Sequence, residues 1–262
     1  MDLLRAENIY KYFGKKEKFN PVLVDISLSI KDGQFVTLLG PSGCGKTTLL
    51  TIIAGFQNPD HGQVSLDGEK ITGPGPDRGF VFQNYALFPW MTVRENILFP
   101  MKRQKMPSSQ REQRLAELLN IANLEGKEHL YPHQLSGGMK QRTAVIRALA
   151  YRPRVLLMDE PLGAVDFQMR QVLQEEIEGI LSRDKATVLM VTHDVEEAVY
   201  MSDRVIVMSR HQGAIAEDFR IDLKRPRDRR SQAYRQAVQH LMDTLQTLGE
   251  GIIKASSREA AS

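Results

Sequence analysis

The chain has 262 residues, of which 42% are hydrophobic, and this suffices for one large domain or for a domain with an inserted lobe. Its 35 basic and 32 acidic residues leave a formal net charge of +3, which excludes a global field that would drive the protein onto nucleic acid. Cys44 is the only cysteine, so an intrachain disulfide framework is excluded and a reducing cytosol is favoured.

The beginning of the sequence resembles neither a signal peptide nor a membrane anchor. Residues 1–18 carry charges throughout and lack an apolar central region. No run along the chain approaches the roughly 18 to 20 apolar residues that cross a bilayer. We therefore expect a protein that is soluble by itself and that reaches a membrane only through a partner.

The first clear strand leads into a glycine-rich loop. Residues 35–39 (FVTLL) are continuously apolar, which predicts a strand covered on both faces in a parallel sheet of the α/β class. Residues 40–48 (GPSGCGKTT) match G-x-x-x-x-G-K-[ST] and lead into an apolar helical run. The glycines let backbone N–H groups face an anion, Lys46 adds a full charge, and Thr47 offers a hydroxyl to Mg²⁺. The predicted nucleotide-binding residues of this loop are Gly40, Pro41, Ser42, Gly43, Cys44, Gly45, Lys46, Thr47 and Thr48.

A helical lobe is predicted at about residues 84–150, inserted between strands of the sheet. The segment has no comparable strand run, and it shows a polar helical pattern near 108–122. An aromatic and apolar group at residues 85–90 is difficult to bury within one small lobe, so we expect a docking surface there. Burial of Trp90 in the core of the lobe stays open as the alternative.

A second glycine-containing helix start lies at residues 135–142 (LSGGMKQR). Ser136 stands where an N-cap belongs, ahead of an apolar helical pattern. A purely structural helix has no need of Gly137 and Gly138, because glycines weaken a helix start. We interpret the three residues as a second anion-binding site, in which the backbone admits a foreign anion.

Two acidic residues and a histidine follow two of the later predicted strands. Asp159 and Glu160 follow residues 155–158, where one carboxylate suits a metal and the other suits an attacking water. His193 follows the run at 187–191, and residues 204–208 predict a further strand. Ligands of open α/β sheets bind at the carboxyl ends of strands, so these groups predict one catalytic edge; a solvated turn before Pro161 is the alternative for the two acids.

The C-terminal part combines a basic run with an amphipathic helix. Residues 224–230 (KRPRDRR) hold five basic residues and one acid, which suits nucleic acid or anionic lipid, although we favour a solvated linker. Apolar residues then recur at helical spacing and predict a helix that packs on the body or on a neighbour. These residues are Tyr234, Val238, Leu241, Leu245 and Leu248.

The motifs, in their order and spacing, closely resemble those of the ATP-binding cassette (ABC) ATPases, the nucleotide-binding subunits of ABC transporters. The matching segments are GPSGCGKTT as Walker A, Gln83 in the Q-loop, LSGGM as the signature, VLLMDE as Walker B, GAVD with Asp166 as the D-loop, and His193 as the switch histidine. The signature has Met139 where glutamine is usual, and the D-loop begins with Gly163 where serine is commoner.

The resemblance implies an α/β P-loop NTPase fold, with a RecA-like parallel-sheet core, an N-terminal antiparallel β region and the inserted helical lobe. Residues 1–230 would form the ATPase domain, and residues 231–262 a C-terminal helical extension. The implied cofactors are ATP and Mg²⁺.

The resemblance also assigns roles to single residues. Phe13 would stack on adenine, although a plain core aromatic is the alternative. Gln83 would touch Mg²⁺ and sense the membrane subunit, alongside Thr47 and Asp159 as metal-binding residues. Glu160 would be the general base, Asp166 would communicate across a dimer, and His193 would contact the γ-phosphate.

The implied partners are a second copy in a head-to-tail homodimer, an integral membrane permease and, indirectly, a solute-binding protein, with no nucleic acid. The subunit would lie on the cytoplasmic face of the membrane. The subfamily resemblance is to importers of nitrate, aliphatic sulfonates and taurine. A nucleotide-gated module without turnover, or a soluble ABC ATPase of repair or translation, are the alternatives.

Overall fold

The computed structural model describes residues 2–14, 20–163, 167–209 and 213–259. The chain forms two compact units. The first unit combines residues 1–73 with residues 191–262, and the second comprises residues 74–190.

The N-terminal part of the first unit holds an antiparallel sheet and the first helix. Its elements are β1 (Asp2–Phe13), β2 (Asn20–Lys31), β3 (Phe35–Leu39), α1 (Lys46–Ile53), β4 (His61–Leu66) and β5 (Glu69–Lys70). Strand β1 pairs antiparallel with both β2 and β4, and the sheet order is β2-β1-β4-β5. The predicted N-terminal antiparallel β region is confirmed.

The second unit is mainly helical. The elements that begin in it are β6 (Arg78–Val81), α2 (Val93–Arg103), α3 (Ser108–Ile121), a 3-10 turn (Pro132–Gln134), α4 (Gly137–Leu149), β7 (Val155–Asp159), α5 (Phe167–Arg183) and β8 (Val188–Thr192). The strands follow the order β8-β7-β6, and β6 runs parallel to β7. Strand β7 is buried along its apolar residues, as its continuous apolarity predicts.

The C-terminal part of the first unit completes its second sheet. Its elements are α6 (Val195–Met201), β9 (Arg204–Met208), β10 (Ile215–Arg220) and α7 (Gln232–Glu259). The order is β10-β9-β3, with β9 parallel to β3 and β10 antiparallel to β9. Parallel pairs of buried strands with flanking helices confirm the predicted α/β class.

The predicted strands agree closely with the observed ones. Strands β3 and β9 have the predicted bounds, β7 extends to Asp159, and β8 lies one residue later than expected. Elements without a counterpart among the predicted ones include β6, which is only four residues long, α2 and β10.

The interpretation of residues 224–230 as a solvated linker is wrong. Arg225, Arg227 and Arg229 turn toward the body of the first unit, and the Arg227 side chain is only 1% exposed. Lys224 and Arg230 are exposed. Composition alone does not show which arginines point inward, because their positions depend on carbonyl groups of α6 that only the fold brings near.

The amphipathic character predicted for the C-terminal helix is confirmed. Tyr234 and Leu241 of α7 are buried, while Val238 is half-buried. The Tyr234 hydroxyl donates to the Glu196 carbonyl oxygen at 3.1 Å. In the described part of the chain, no helix combines the length and the apolarity needed to span a membrane.

One buried asparagine fixes the loop that precedes α2. The side chain of Asn96 accepts from the Phe88 backbone N–H at 2.9 Å. Its Nδ2 donates to the carbonyl oxygens of Phe88 at 3.2 Å, Met91 at 3.0 Å and Thr92 at 3.0 Å. Thr92 and Glu95 form a capping box at the start of the same helix. The side chain of Asn96 therefore fixes the backbone conformation of the loop at residues 88–92.

We predict that Asn96→Ala lowers the free energy of unfolding by about 3 kcal/mol, because buried backbone groups lose their partners at about 1 kcal/mol or more each. Urea unfolding followed by circular dichroism measures this loss. The control is Asn120→Ala, since exposed Asn120 makes one side-chain bond, to Glu125, and should change stability by less than about 0.5 kcal/mol. Equal losses in the two variants would contradict the assignment.

Candidate functional site

The glycine-rich loop joins β3 to α1, as predicted. Gly45 has a φ of 96°, and a Cβ atom at this position would lie 2.7 Å from Leu23 Cδ2 and 2.8 Å from the Val22 carbonyl oxygen. Both the backbone conformation and the lack of space require glycine there. The helix begins at the next residue, so its first N–H groups border the loop. The loop thus has the backbone geometry that binds phosphate.

The charged side chain of Lys46 is buried inside this loop. The side chain is buried, and its Nζ donates to the carbonyl oxygens of Gly40 at 2.7 Å and Pro41 at 2.9 Å. A buried ammonium needs such partners, because desolvation disfavours an isolated charge. An incoming phosphate offers stronger, charged acceptors at the same place. The loop is therefore suited to a triphosphate.

The remaining loop residues divide into buried and exposed positions. Cys44 is buried, and burial raises the pKa of its thiol although the nearby Lys46 ammonium opposes this shift. This fits a small neutral filler rather than a reactive group. Ser42, Gly43 and Thr47 are exposed, and Thr47 lies in the first turn of α1.

Phe13 lies at the end of β1 and is 47% exposed. The alternative reading of this residue as a core aromatic is therefore wrong. The Lys11 ammonium lies 5.8 Å from the ring centroid. An exposed aromatic face at the end of a strand is available for stacking with a planar ligand.

His193 is an exposed residue between β8 and α6, also in the first unit. The hydroxyl of Thr192 bonds to the Glu197 carboxylate and accepts from the Asp194 N–H at 3.1 Å. Asp194 caps α6 by accepting from the Glu197 N–H at 3.0 Å. Both neighbours of the exposed histidine are thus fixed by hydrogen bonds.

In the second unit, the structure brings Gln83 and Glu160 together. A Cβ atom placed on Gly163 would lie 3.2 Å from Gln83 Nε2, 3.3 Å from the Glu160 carbonyl oxygen and 3.5 Å from Glu160 Oε2. The amide and the carboxylate therefore border the same small space. A serine at position 163 would need these neighbours to shift by a few tenths of an ångström, whereas glycine fits without a shift.

Glu160 follows Asp159 directly at the end of β7, and both are half-buried. Glu160 has a φ of 43°, in the left-handed region that non-glycine residues seldom occupy. Such backbone strain clusters at functional sites. Asp166, which the family pattern singles out, lies outside the described residues.

The signature segment begins α4 as predicted. The Ser136 hydroxyl accepts from the Met139 N–H at 3.2 Å, and Ser136 is exposed. Gly137 is exposed, and a Cβ atom there would lie 3.9 Å from the Tyr85 hydroxyl, whereas a Cβ atom on Gly138 would lie 2.9 Å from Leu173 Cδ2. Gly138 thus has a packing reason as well as a place in the predicted anion site. Ser136 and Gly137 are the exposed residues of the three.

The predicted docking surface beyond Gln83 is partly exposed. Trp90 is 69% exposed, which rules out the alternative that the lobe core buries it. Its ring centroid lies 5.7 Å from that of Phe88. Arg147 donates to the carbonyl oxygens of Ala86 at 2.7 Å and Tyr85 at 3.1 Å. The surface therefore rests on a fixed backbone.

The part played by Asn96 and Arg147 in holding this surface was not identified from the sequence. A capping-box pattern at Thr92 and Glu95 is the local signal that would have located α2. No local signal marks the bonds of Arg147, which join residues about 60 positions apart.

Comparison with known proteins supports the reading of these motifs. A family model described as ABC transporter matches residues 23–163. An uncharacterized ABC transporter ATP-binding protein of Methanocaldococcus jannaschii is 48% identical over 228 residues, covering 87% of this chain and 85% of that protein.

Two further relatives are named as import proteins. The aliphatic sulfonates import ATP-binding protein of Bacillus thuringiensis subsp. konkukian is 43% identical over 228 residues, covering 87% of this chain and 90% of that protein. The nitrate import ATP-binding protein of Synechocystis sp. is 44% identical over 220 residues, covering 84% of this chain and 83% of that protein.

A solved structure shows the same fold. It is the dimeric structure of a post-hydrolysis state of an ATP-binding cassette bound to ADP and Pi, with a TM-score of 0.70 and 32% identity, covering 83% of this chain and 98% of that chain. Motifs, fold and relatives agree, and the chain belongs to the ABC transporter family as one of its ATP-binding subunits.

Proposed function

We propose that this ATPase subunit drives the import of a small solute such as nitrate, an aliphatic sulfonate, taurine or a related compound. The relatives named for sulfonate and nitrate import support the direction and the class of solute. The observation that carries the hydrolytic role is that the Gln83 amide and the Glu160 carboxylate both border the space at Gly163.

ATP binding is assigned to the phosphate loop. Lys46 would exchange the carbonyl oxygens of its own loop for phosphate oxygens, and the N–H groups at the start of α1 would complete the grip. The exposed ring of Phe13 would stack on adenine. His193 would donate to the γ-phosphate from its fixed position before α6.

Mg²⁺ is assigned to the Thr47 hydroxyl, the Gln83 side-chain oxygen and the Asp159 carboxylate. These are the hard oxygen ligands that Mg²⁺ prefers, and the ion commonly takes few protein ligands together with phosphate oxygens. When bound, the ion neutralises charge on the phosphates.

Glu160 is assigned as the general base. Its carboxylate would orient and deprotonate the water that attacks the γ-phosphate, and the neighbouring Gln83 amide would hold the carboxylate in place. Asp166 is assigned to communication across a dimer.

The signature segment is assigned to the nucleotide of a second copy. Ser136 and Gly137 are exposed at the N-terminus of α4, which attracts anions through its partial positive charge. Gly138 lets α4 approach Leu173 closely. Head-to-tail pairing of two copies would place each signature on the partner's ATP, and the dimeric state of the solved relative supports this arrangement.

The exposed surface around Trp90 is assigned to an integral membrane permease. An exposed, rigidly supported aromatic patch is typical of a docking site. The subunit would then lie peripherally on the cytoplasmic face of the membrane. A solute-binding protein would deliver the solute to the opposite face.

We predict that Glu160→Gln abolishes steady phosphate release, lowering kcat by at least about 100-fold, because the amide cannot accept the proton from water. The KM for ATP should change by less than about threefold, because the phosphate loop is intact. Glu69→Gln, which alters an exposed carboxylate on β5, is the control and should keep full activity. Turnover at the normal rate in the Glu160→Gln protein would refute the role of the base.

We predict that Trp90→Ala weakens binding to membranes that contain the permease by about 30-fold, since buried tryptophan anchors often contribute about 2 kcal/mol. Cosedimentation with such membranes measures the change, and ATP hydrolysis by the free subunit should stay within about twofold. Phe56→Ala removes another exposed aromatic side chain, from the first unit, and serves as the control. Unchanged membrane binding in the Trp90 variant would contradict the docking assignment.

A further inference from the structure

The switch histidine lies just before a short helix that the C-terminal segment of the chain holds in place. His193 precedes α6, which spans Val195–Met201 and so has only two turns. A helix this short is marginal by itself and takes its position from tertiary contacts. Its N-terminal end is fixed locally by the Asp194 cap.

Two arginines from the C-terminal segment donate to backbone carbonyl groups at the C-terminal end of α6. Arg227 donates to the carbonyl oxygens of Val199 and Tyr200, the latter at 2.9 Å, and Arg225 donates to that of Met201. The last carbonyls of a helix have no partner within it, and cations are stabilised there by the helix dipole. The Arg227 side chain is 1% exposed, so these bonds are shielded from water.

Two further contacts from the same segment hold the side of α6. The guanidinium of Arg229 lies 3.6 Å from the centroid of the Tyr200 ring. The Tyr234 hydroxyl, from α7, donates to the Glu196 carbonyl oxygen at 3.1 Å. The helix is thus clamped along its length by residues 225–234.

The clamp extends to the strand that leads to the phosphate loop. Arg225 also binds Asp203 at 2.8 Å, and the other carboxylate oxygen of Asp203 accepts from the Phe35 N–H at 2.8 Å. Phe35 is the first residue of β3, and that strand ends next to Gly40. One network therefore ties the end of α6 to the start of β3.

We propose that Arg227 is a positioning residue for hydrolysis, which acts by holding α6 so that His193 keeps its place. The Arg227 guanidinium binds carbonyl groups of α6, so its effect passes through the helix. The inference rests on the proposed role of His193 at the γ-phosphate. Because the phosphate loop and Phe13 bind ATP, loss of the clamp affects the rate of turnover more than ATP affinity.

A double-mutant cycle tests this proposal. Arg227→Gln should lower kcat for ATP hydrolysis by about 10-fold with the KM for ATP within about twofold. In a His193→Ala background the same change should lower kcat by less than about twofold, because the group it positions is absent. Arg230→Gln, in the same segment but exposed, is the matched control and should keep normal activity.

Distinct outcomes separate the two claims. If Arg227→Gln lowered kcat by the same factor in both backgrounds, or in neither, the positioning role would be overturned. The role of His193 would be left intact. Normal turnover in His193→Ala would instead remove the proposed function of the histidine and the inference with it.

A milder variant covers the case in which Arg227→Gln does not fold. Tyr234→Phe removes only the hydroxyl that bonds the Glu196 carbonyl oxygen, and the ring stays in place. It should lower kcat about threefold in the normal background and not in His193→Ala. An unchanged kcat in a folded Tyr234→Phe protein would count against the clamp.

Discussion

The ammonium group of Lys46 is the constraint on which the rest of the site depends. It lies in a buried position, held by carbonyl oxygens of its own loop. A buried ammonium group favours binding of a ligand whose negatively charged oxygen atoms reach it inside the loop. The tight approach of Gly45 to Val22 and Leu23 holds the loop against β2, so the cradle exists before the ligand arrives. Binding of phosphate is thereby a property of the local backbone.

The two glycine-containing helix starts differ in which of their groups are exposed. At α1 the charged side chain is folded inward, whereas at α4 the Ser136 hydroxyl and Gly137 lie at the surface. The exposed start of α4 offers its N–H groups and partial positive charge to an anion on another molecule, whereas the start of α1 is already occupied by the buried Lys46 of its own loop. This difference is the physical reason to assign the signature to the nucleotide of a second copy.

The local features could be predicted from the sequence because each depends on a few neighbouring residues. The apolar run at β3, the Ser136 cap and the helical spacing in α7 are of this kind. Features that depend on distant residues could not be predicted. Gly138 is required by Leu173 on another helix, and the buried position of Arg227 depends on carbonyl groups nearly 30 residues earlier. A run of basic residues carries no information about such acceptors, so its composition alone predicts a solvated segment.

The central claim is that ATP joins two copies of the chain, with Lys46 of one copy and Ser136 of the other on the same triphosphate. Sedimentation velocity of the Glu160→Gln protein, in which bound ATP persists, tests this claim most directly. The account predicts a dimer with saturating Mg-ATP, and a monomer either without nucleotide or when Ser136→Glu adds a negative charge that repels the phosphate. A Glu160→Gln protein that stays monomeric with Mg-ATP bound, or a dimer that Ser136→Glu leaves intact, would contradict it.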